Sequence, residues 1–257
     1  TRFKCDWSSD VCSSDLHGYD AARSNVNPNE VILTTSTVPE LNLKWKVAID
    51  GATIGSPVYV PGVKVKGVVI DVVYVGTESG SFYAFSVSTG AQIWKVSFGH
   101  INSSCMDLPL GHWGIGGTPY VDEAVGLVYF AAGGNLNALD LATGVQPSGW
   151  PVQGLYNPTL LHNYGGIAKV GNLIYVAFAG LCDQGIYYGQ VIAVDATTAR
   201  SVHTFLSCPQ KLDRMGGRYL GQRRGGLPLY HTHGQHLQPL SRNRKYSRYL
   251  SRVGFLW

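Results

Sequence analysis

The chain has 257 residues, enough for one sizeable domain with its own core, and only 14% of them are Asp, Glu, Lys or Arg. The formal charge of +4 is unevenly spread: residues 214–257 hold eight Arg and one Lys with no Asp or Glu, so residues 1–213 carry −5. No run approaches the roughly 18 apolar residues of a membrane-spanning helix, no Gly-rich phosphate loop leads from a strand into a helix, and no Ser or Cys sits in a nucleophile elbow, which leaves nucleotide-binding and hydrolase readings without support.

In chain order, residues 1–16, with Cys5 and Cys12 among Ser and Asp, read as the translation of a sequencing adapter and are set aside as a scar would be. A disordered leader is the alternative. A secretory signal is not, because the segment has no apolar core. Leu43-Lys-Trp45 and Gly55-Ser-Pro-Val-Tyr-Val60 come next, the latter a short strand. Residues 71–90 then predict a strand, a Gly-containing hairpin, a second strand and a Thr-Gly turn, since β-branched and aromatic runs bounded by Gly are strands. Gly117-Thr-Pro-Tyr-Val121 repeats the short strand, and residues 126–144 repeat the longer unit. A third, weaker copy runs over residues 172–179 and resumes at 190–198 after a longer loop. Tyr74, Tyr129 and Tyr175 mark one strand of each copy; Ala84, Ala138 and Ala193 mark the next.

Repeats of roughly 40 to 55 residues built from such strands point to an all-β propeller of four-stranded antiparallel blades, because one blade cannot bury both its faces alone. A β-solenoid ranks second. Residues 17–213 supply about three to four blades, whereas closed propellers have typically four to eight, so the expectation is an incomplete arc.

The motif that closes each repeat is more specific. Ala84, Gly90 and Trp94 resemble the tryptophan-docking motif of the quinoprotein-like β-propeller repeat family, with Ser86 where that family has Asp. The second copy has Ala138, Asp140 and Gly144 but reaches Trp150 two residues late. The third has Ala193 and Asp195 and neither the Gly nor the Trp. The resemblance covers about residues 18–205. It implies that an indole of one blade packs on its neighbour, and that Asp140 and Asp195 bond turn amides rather than act in catalysis. It also leans towards a secreted or periplasmic protein. A quinoprotein dehydrogenase of this kind would hold pyrroloquinoline quinone over the channel, stacked on a Trp. It would have Ca²⁺ on carboxylate and amide oxygens, an Asp as base and often two adjacent cysteines. No Cys-Cys pair and no calcium-ligand spacing occurs in residues 17–213.

No catalytic residue and no metal ligand is therefore assigned; His100, His162 and His203 are scattered without metal-ligand spacing. His112 and Trp113, in a loop before Gly116 that would open towards a channel mouth, are candidates for facing a ligand; a Trp cushioning a blade interface is the bland reading. Tyr187 and Tyr188, in the long loop after Cys182, are the second pair of candidates, against simple edge packing. Asp122 and Glu123 read as solvated acids in a hairpin turn, and Asn102-Ser-Ser104 is a glycosylation sequon. Of Cys105, Cys182 and Cys208, the last two lie in blade-edge loops and would pair in an oxidising compartment; free buried thiols are the equal alternative.

Codon degeneracy bears on residues 214–257. Read one nucleotide later, the codons of residues 218–224 permit G-I-W-G-S-G-G and those of 231–237 permit T-P-T-G-N-I-Y, the blade pattern again. The basic tail is expected to be a frameshift product without a stable fold, in place of a continuing fourth blade. If genuine, it would be an arm for nucleic acid or an anionic surface. The expected function is a non-catalytic propeller, an extracytoplasmic binding or assembly scaffold with no cofactor and an unassigned protein or small-molecule partner. The alternative is a dehydrogenase using pyrroloquinoline quinone and Ca²⁺ whose ligands lie in blades outside this sequence.

Overall fold

The computed structural model describes residues 24–206, apart from 25, 29, 106, 107, 109 and 183–186. The segments 1–16 and 214–257, and Cys208, lie outside the described residues.

The first blade is a four-stranded antiparallel meander of β1 (Val58–Val65), β2 (Val68–Gly76), β3 (Ser81–Ser86) and β4 (Gln92–Ser97). A two-stranded ribbon follows, β5 (Ile101–Asn102) with β6 (His112–Trp113). The second blade has β7 (Tyr120–Asp122), β8 (Leu127–Ala132) and β9 (Asn135–Asp140). In place of a full outer strand it has a single bridge between Leu136 and Val152. Pro147 and Pro151 lie in that outer segment, and a residue without an N–H cannot continue a ladder. The third blade is β11 (Ala168–Val170), β12 (Leu173–Gly180), β13 (Gln190–Asp195) and β14 (Arg200–Leu206), with β10 (Leu161–His162) pairing the far end of β12. The described residues thus form an incomplete propeller of antiparallel blades, and a single 3₁₀ turn, Val38–Glu40, is their helical content. None of their helices is long and apolar enough to cross a membrane.

The repeat tyrosines and alanines are direct cross-strand partners: Tyr74 faces Ala84, Tyr129 faces Ala138 and Tyr175 faces Ala193. A small residue opposite each ring leaves room for the phenol to lie along the sheet face, the pairing unit by which sheets are stabilised. Middle strands carry apolar residues on both faces because each blade is covered on both sides; every residue of β3 is buried. One face of blade 1 and the facing side of blade 2 form one core, in which Phe82 stacks on Phe130 with ring centroids 4.3 Å apart. The other face of blade 2 packs on blade 3 through Tyr129, Leu136, Ile174 and Ile192. Burying side chains of this size contributes about 1.5–3 kcal/mol each.

The turns that follow the third strand of each blade explain how blades lock together. The Trp94 indole N–H donates to the Leu141 carbonyl at 3.0 Å, and the Tyr74 hydroxyl donates to the same oxygen at 2.8 Å. Gly144 lies directly under that indole: a Cβ built there would sit 2.8 Å from the ring, and its φ is +70°. Asp140 holds the turn, its Oδ1 accepting from the Ala142 and Thr143 amides and the Thr143 hydroxyl. Asp195 does the same for Thr197 and Thr198. Ala199 takes the place of the missing glycine in the third turn, at φ +51°, with Trp150 beside it in the same core. Ser86, at the aspartate position of the first turn, bonds Ser88 instead.

Two expectations change. Cys182 bonds Cys105, not Cys208, because the loop after β12 folds back over the β5–β6 ribbon. Asp122 is buried rather than solvated, since Lys169 of the next blade reaches it at 2.8 Å. Trp113 is nearly fully buried, in a cluster with Cys105, Leu108 and Leu181.

Candidate functional site

The loops that enter the inner strands, and the hairpin loops between each blade's second and third strands, gather at one end of the arc. Small residues make this possible. A Cβ on Gly55 would come 2.6 Å from the Gly117 carbonyl oxygen, and one on Gly117 would meet the Asn163 side chain. Between these glycines the Thr118 hydroxyl accepts from the Ser56 amide at 2.9 Å, and its carbonyl accepts from the Ile167 amide at 3.2 Å. All three inner strands are therefore tied to one another at this end.

The Cys105–Cys182 disulfide spans 77 residues of sequence, with Cα atoms 5.9 Å apart, and joins the loop between blades 1 and 2 to the hairpin loop of blade 3. Beneath it Trp113 meets His162 (centroids 4.6 Å) and the edge of Tyr164 (4.8 Å). Leu181 closes the same cluster. Tyr187 is buried over Gly180, where a Cβ would enter its ring, and Tyr188 is exposed. His112 is half-buried, its Nε2 3.1 Å from the Ser79 hydroxyl and its ring stacked on His100 at 4.1 Å. Of the four sequence candidates, His112 and Trp113 thus sit together on β6, while Tyr187 and Tyr188 lie in the loop that the disulfide fastens to this ribbon. Tyr188 and Tyr164 are both exposed, the Tyr164 ring also making edge contact with Trp113 and His162.

Several polar groups here escape a reading of the sequence. Glu78 is fully buried with both carboxylate oxygens lacking hydrogen-bond partners, and burial pushes its carboxyl up. His162 is fully buried with both ring nitrogens unpartnered, and burial pushes its imidazole down to about 3. The His162 imidazole is therefore neutral near pH 7. Asn163 donates to the Ala177 carbonyl, while its own side-chain oxygen is buried without a hydrogen bond. In a sequence, Thr77-Glu78-Ser79-Gly80 looks like a solvated turn, and only the packing of the 113–117 loop over it reveals otherwise. Asp50 behaves oppositely. Burial would raise its carboxyl, but hydrogen bonds from Ser81 and Thr77 and the Lys95 ammonium at 2.9 Å outweigh this and hold it down at about 2.

Among the described residues no three His, Cys, Asp or Glu side chains come together as a metal site. A shallow polar groove lined by Val152, Gln153, Leu155, Arg200 and Thr204 lies elsewhere, along the outer seam of blades 2 and 3.

Solved structures resemble this arrangement. A quinohemoprotein alcohol dehydrogenase from Pseudomonas putida HK5 is 22% identical, with a TM-score of 0.55 over 76% of this chain and 26% of its own. A quinohemoprotein alcohol dehydrogenase from Comamonas testosteroni is 19% identical, with a TM-score of 0.56 over 78% of this chain and 28% of its own. A europium-containing methanol dehydrogenase is 17% identical, with a TM-score of 0.51 over 76% and 32%. The fold is that of the quinoprotein-like β-propellers, and the chain spans about a quarter to a third of the length of these proteins. No protein-family model matches the sequence, and no curated protein sequence matches it.

Proposed function

We propose that this quinoprotein-like propeller arc is part of a non-catalytic, extracytoplasmic binding or assembly scaffold, and that it presents the disulfide-fastened end of its blades to its partner. The observation that carries this reading is the Cys105–Cys182 bridge. Such bonds persist in oxidising compartments, which supports a secreted or periplasmic location. By joining loops of different blades it also fixes a surface before any partner arrives, and preorganised loops lose less entropy on binding. Tyr188 and Tyr164 are the exposed aromatic residues of that surface, with Trp113 and His162 packed beside Tyr164. The test is recovery of a specific partner from the secreted or periplasmic fraction by the full chain, followed by Tyr164→Ser and Tyr188→Ser. Loss of the partner with the fold intact supports the reading; retention by both variants sinks it.

The second reading is favoured by the dehydrogenases among the structural neighbours. It places the groups that hold pyrroloquinoline quinone and a cation in blades outside this sequence, and the described residues do not themselves supply them. The cysteines are joined across blades rather than as neighbours. Glu78, the buried carboxyl at this end, has its pKa raised by burial, which disfavours the carboxylate form that a hard cation needs. Asp50 is already committed to Lys95, Ser81 and Thr77. No catalytic step is derived through the quinone. Titrating the full chain with the quinone and Ca²⁺ while following tryptophan fluorescence separates the readings: saturable quenching favours the dehydrogenase.

A further inference from the structure

The β5–β6 ribbon sorts its side chains by face. Ile101 pairs with Trp113 and Asn102 with His112. Alternation along a strand puts Trp113 on the face that packs against Cys105 and Leu181, and Asn102 and His112 on the other. His100, which immediately precedes β5, shares that second face and is the diagonal neighbour of His112 across the ribbon. The two imidazoles lie side by side, with ring centroids 4.1 Å apart and planes inclined by 28°.

A hydrogen-bond chain behind this pair fixes which nitrogen of His112 carries a proton. The Ser79 hydroxyl donates to the Asp50 carbonyl at 2.8 Å. The same hydroxyl oxygen is 3.1 Å from His112 Nε2, and a hydroxyl has one hydrogen to give, so Nε2–H is the donor in that contact. In the neutral ring the lone pair is then on Nδ1. Gly51 leaves the space for this chain, since a Cβ there would come 2.6 Å from the Ser79 hydroxyl oxygen. Metal-binding imidazoles are held in the same manner, one nitrogen donating to an outer partner while the other takes the ion.

We infer that His100 and His112 form a two-imidazole site for a divalent first-row transition metal, with Cu²⁺ bound most tightly. Imidazole suits Cu²⁺, Ni²⁺ and Zn²⁺, and affinity for such ions peaks at Cu²⁺, whereas Ca²⁺ and Mg²⁺ require oxygen ligands. Each nitrogen has to stand roughly 2.0–2.1 Å from the ion, which neighbouring rings allow once the His100 ring turns to aim its lone pair at the ion on His112. His100 is exposed, and among the described residues no hydrogen bond restrains its ring. With two protein ligands, the remaining coordination positions are open to water or to a donor group of a bound molecule. The site does not depend on the scaffold role proposed above.

The test is diethyl pyrocarbonate footprinting of the full chain with and without Cu²⁺, read for each histidine by peptide mass spectrometry. His203, exposed on β14, is the internal reference. Cu²⁺ is expected to slow modification of His100 and His112 together, by roughly tenfold at saturation, while His203 reacts at its original rate. His100→Ala is expected to abolish the protection of His112, and His112→Ala that of His100. Ser79→Ala removes the acceptor that sets the tautomer, and is expected to move the protection midpoint to about tenfold higher Cu²⁺. Protection of neither histidine overturns the inference. Protection of one that survives loss of the other, or equal protection of His203, overturns it as well, and an unmoved midpoint in Ser79→Ala overturns the role given to Ser79.

Discussion

Trp94 and Leu141, 47 residues apart in sequence, meet through an indole N–H donated to a carbonyl at 3.0 Å, and this bond joins blade 1 to blade 2. It works because Gly144 removes a side chain from beneath the ring and Asp140 holds the turn that presents the carbonyl. The bond and the stacking area act together, so this contact is the place to perturb the arc.

Gly144→Ala introduces a Cβ into the Trp94 indole at a backbone φ of +70°. A left-handed backbone alone costs an L-residue roughly 1–2 kcal/mol, and overpacking adds about 1–3 kcal/mol. Gly126→Ala, at φ +72° with nothing within 4 Å, bears the first penalty alone. Urea unfolding of the two variants is expected to place Gly144→Ala clearly lower, and equal midpoints would contradict the docking account.

Removing the disulfide with Cys105→Ser and Cys182→Ser is expected to lower stability by roughly 4 kcal/mol, from the dependence of loop entropy on a separation of 77 residues. Cys208→Ser is expected to change nothing. Peptide mapping under non-reducing conditions checks the pairing directly: a fragment linking residues 105 and 182 is expected, and one linking 182 and 208 would refute it.

Lys169 and Asp122 form an ion pair between the inner strands of blades 2 and 3, with both side chains largely buried. Lys169→Met leaves the Asp122 carboxylate stranded, which costs about 3–5 kcal/mol. Asp122→Asn with Lys169→Met should recover much of that loss, and a double-mutant cycle by thermal unfolding measures it. Additive losses in the double variant would mean the two groups do not interact.

The pH dependence has two opposing parts. His162 has a folded pKa of about 3, below the ordinary value of 6.5, so the unfolded chain binds its proton first. Stability from this group is intact above pH 6.5 and falls towards pH 3, by up to about 1.4 kcal/mol per pH unit. Glu78 has a folded pKa raised above 4.5, so the unfolded chain gives up its proton first and stability falls as pH rises from there. His162→Gln should flatten the acid limb between pH 6.5 and 3, and Glu78→Gln the limb on the neutral side. Chemical denaturation across pH 3–8 reads both slopes, and unchanged slopes in either variant would remove that residue from the account.

Much of the fold was readable before any coordinates, because each blade repeats one local solution. Short β-branched and aromatic runs bounded by glycine set the strands, glycine set the hairpins, and Tyr74, Tyr129 and Tyr175 marked one strand of each copy as Ala84, Ala138 and Ala193 marked the next, which pairs with it. The propeller class followed, since such units can bury both faces only against one another. Residues at the fastened end were not readable in this way. Cys105 finds Cys182 rather than Cys208, Asp122 finds Lys169, and Trp113 finds His162 only after three blades are stacked. Glu78 and His162 become buried, with the charged form of each disfavoured, for the same reason. Local sequence determines backbone conformation through short-range sterics and side-chain period. Which loops meet, and which charges lose their water, depends on contacts between residues far apart in the chain, and only the tertiary structure decides those.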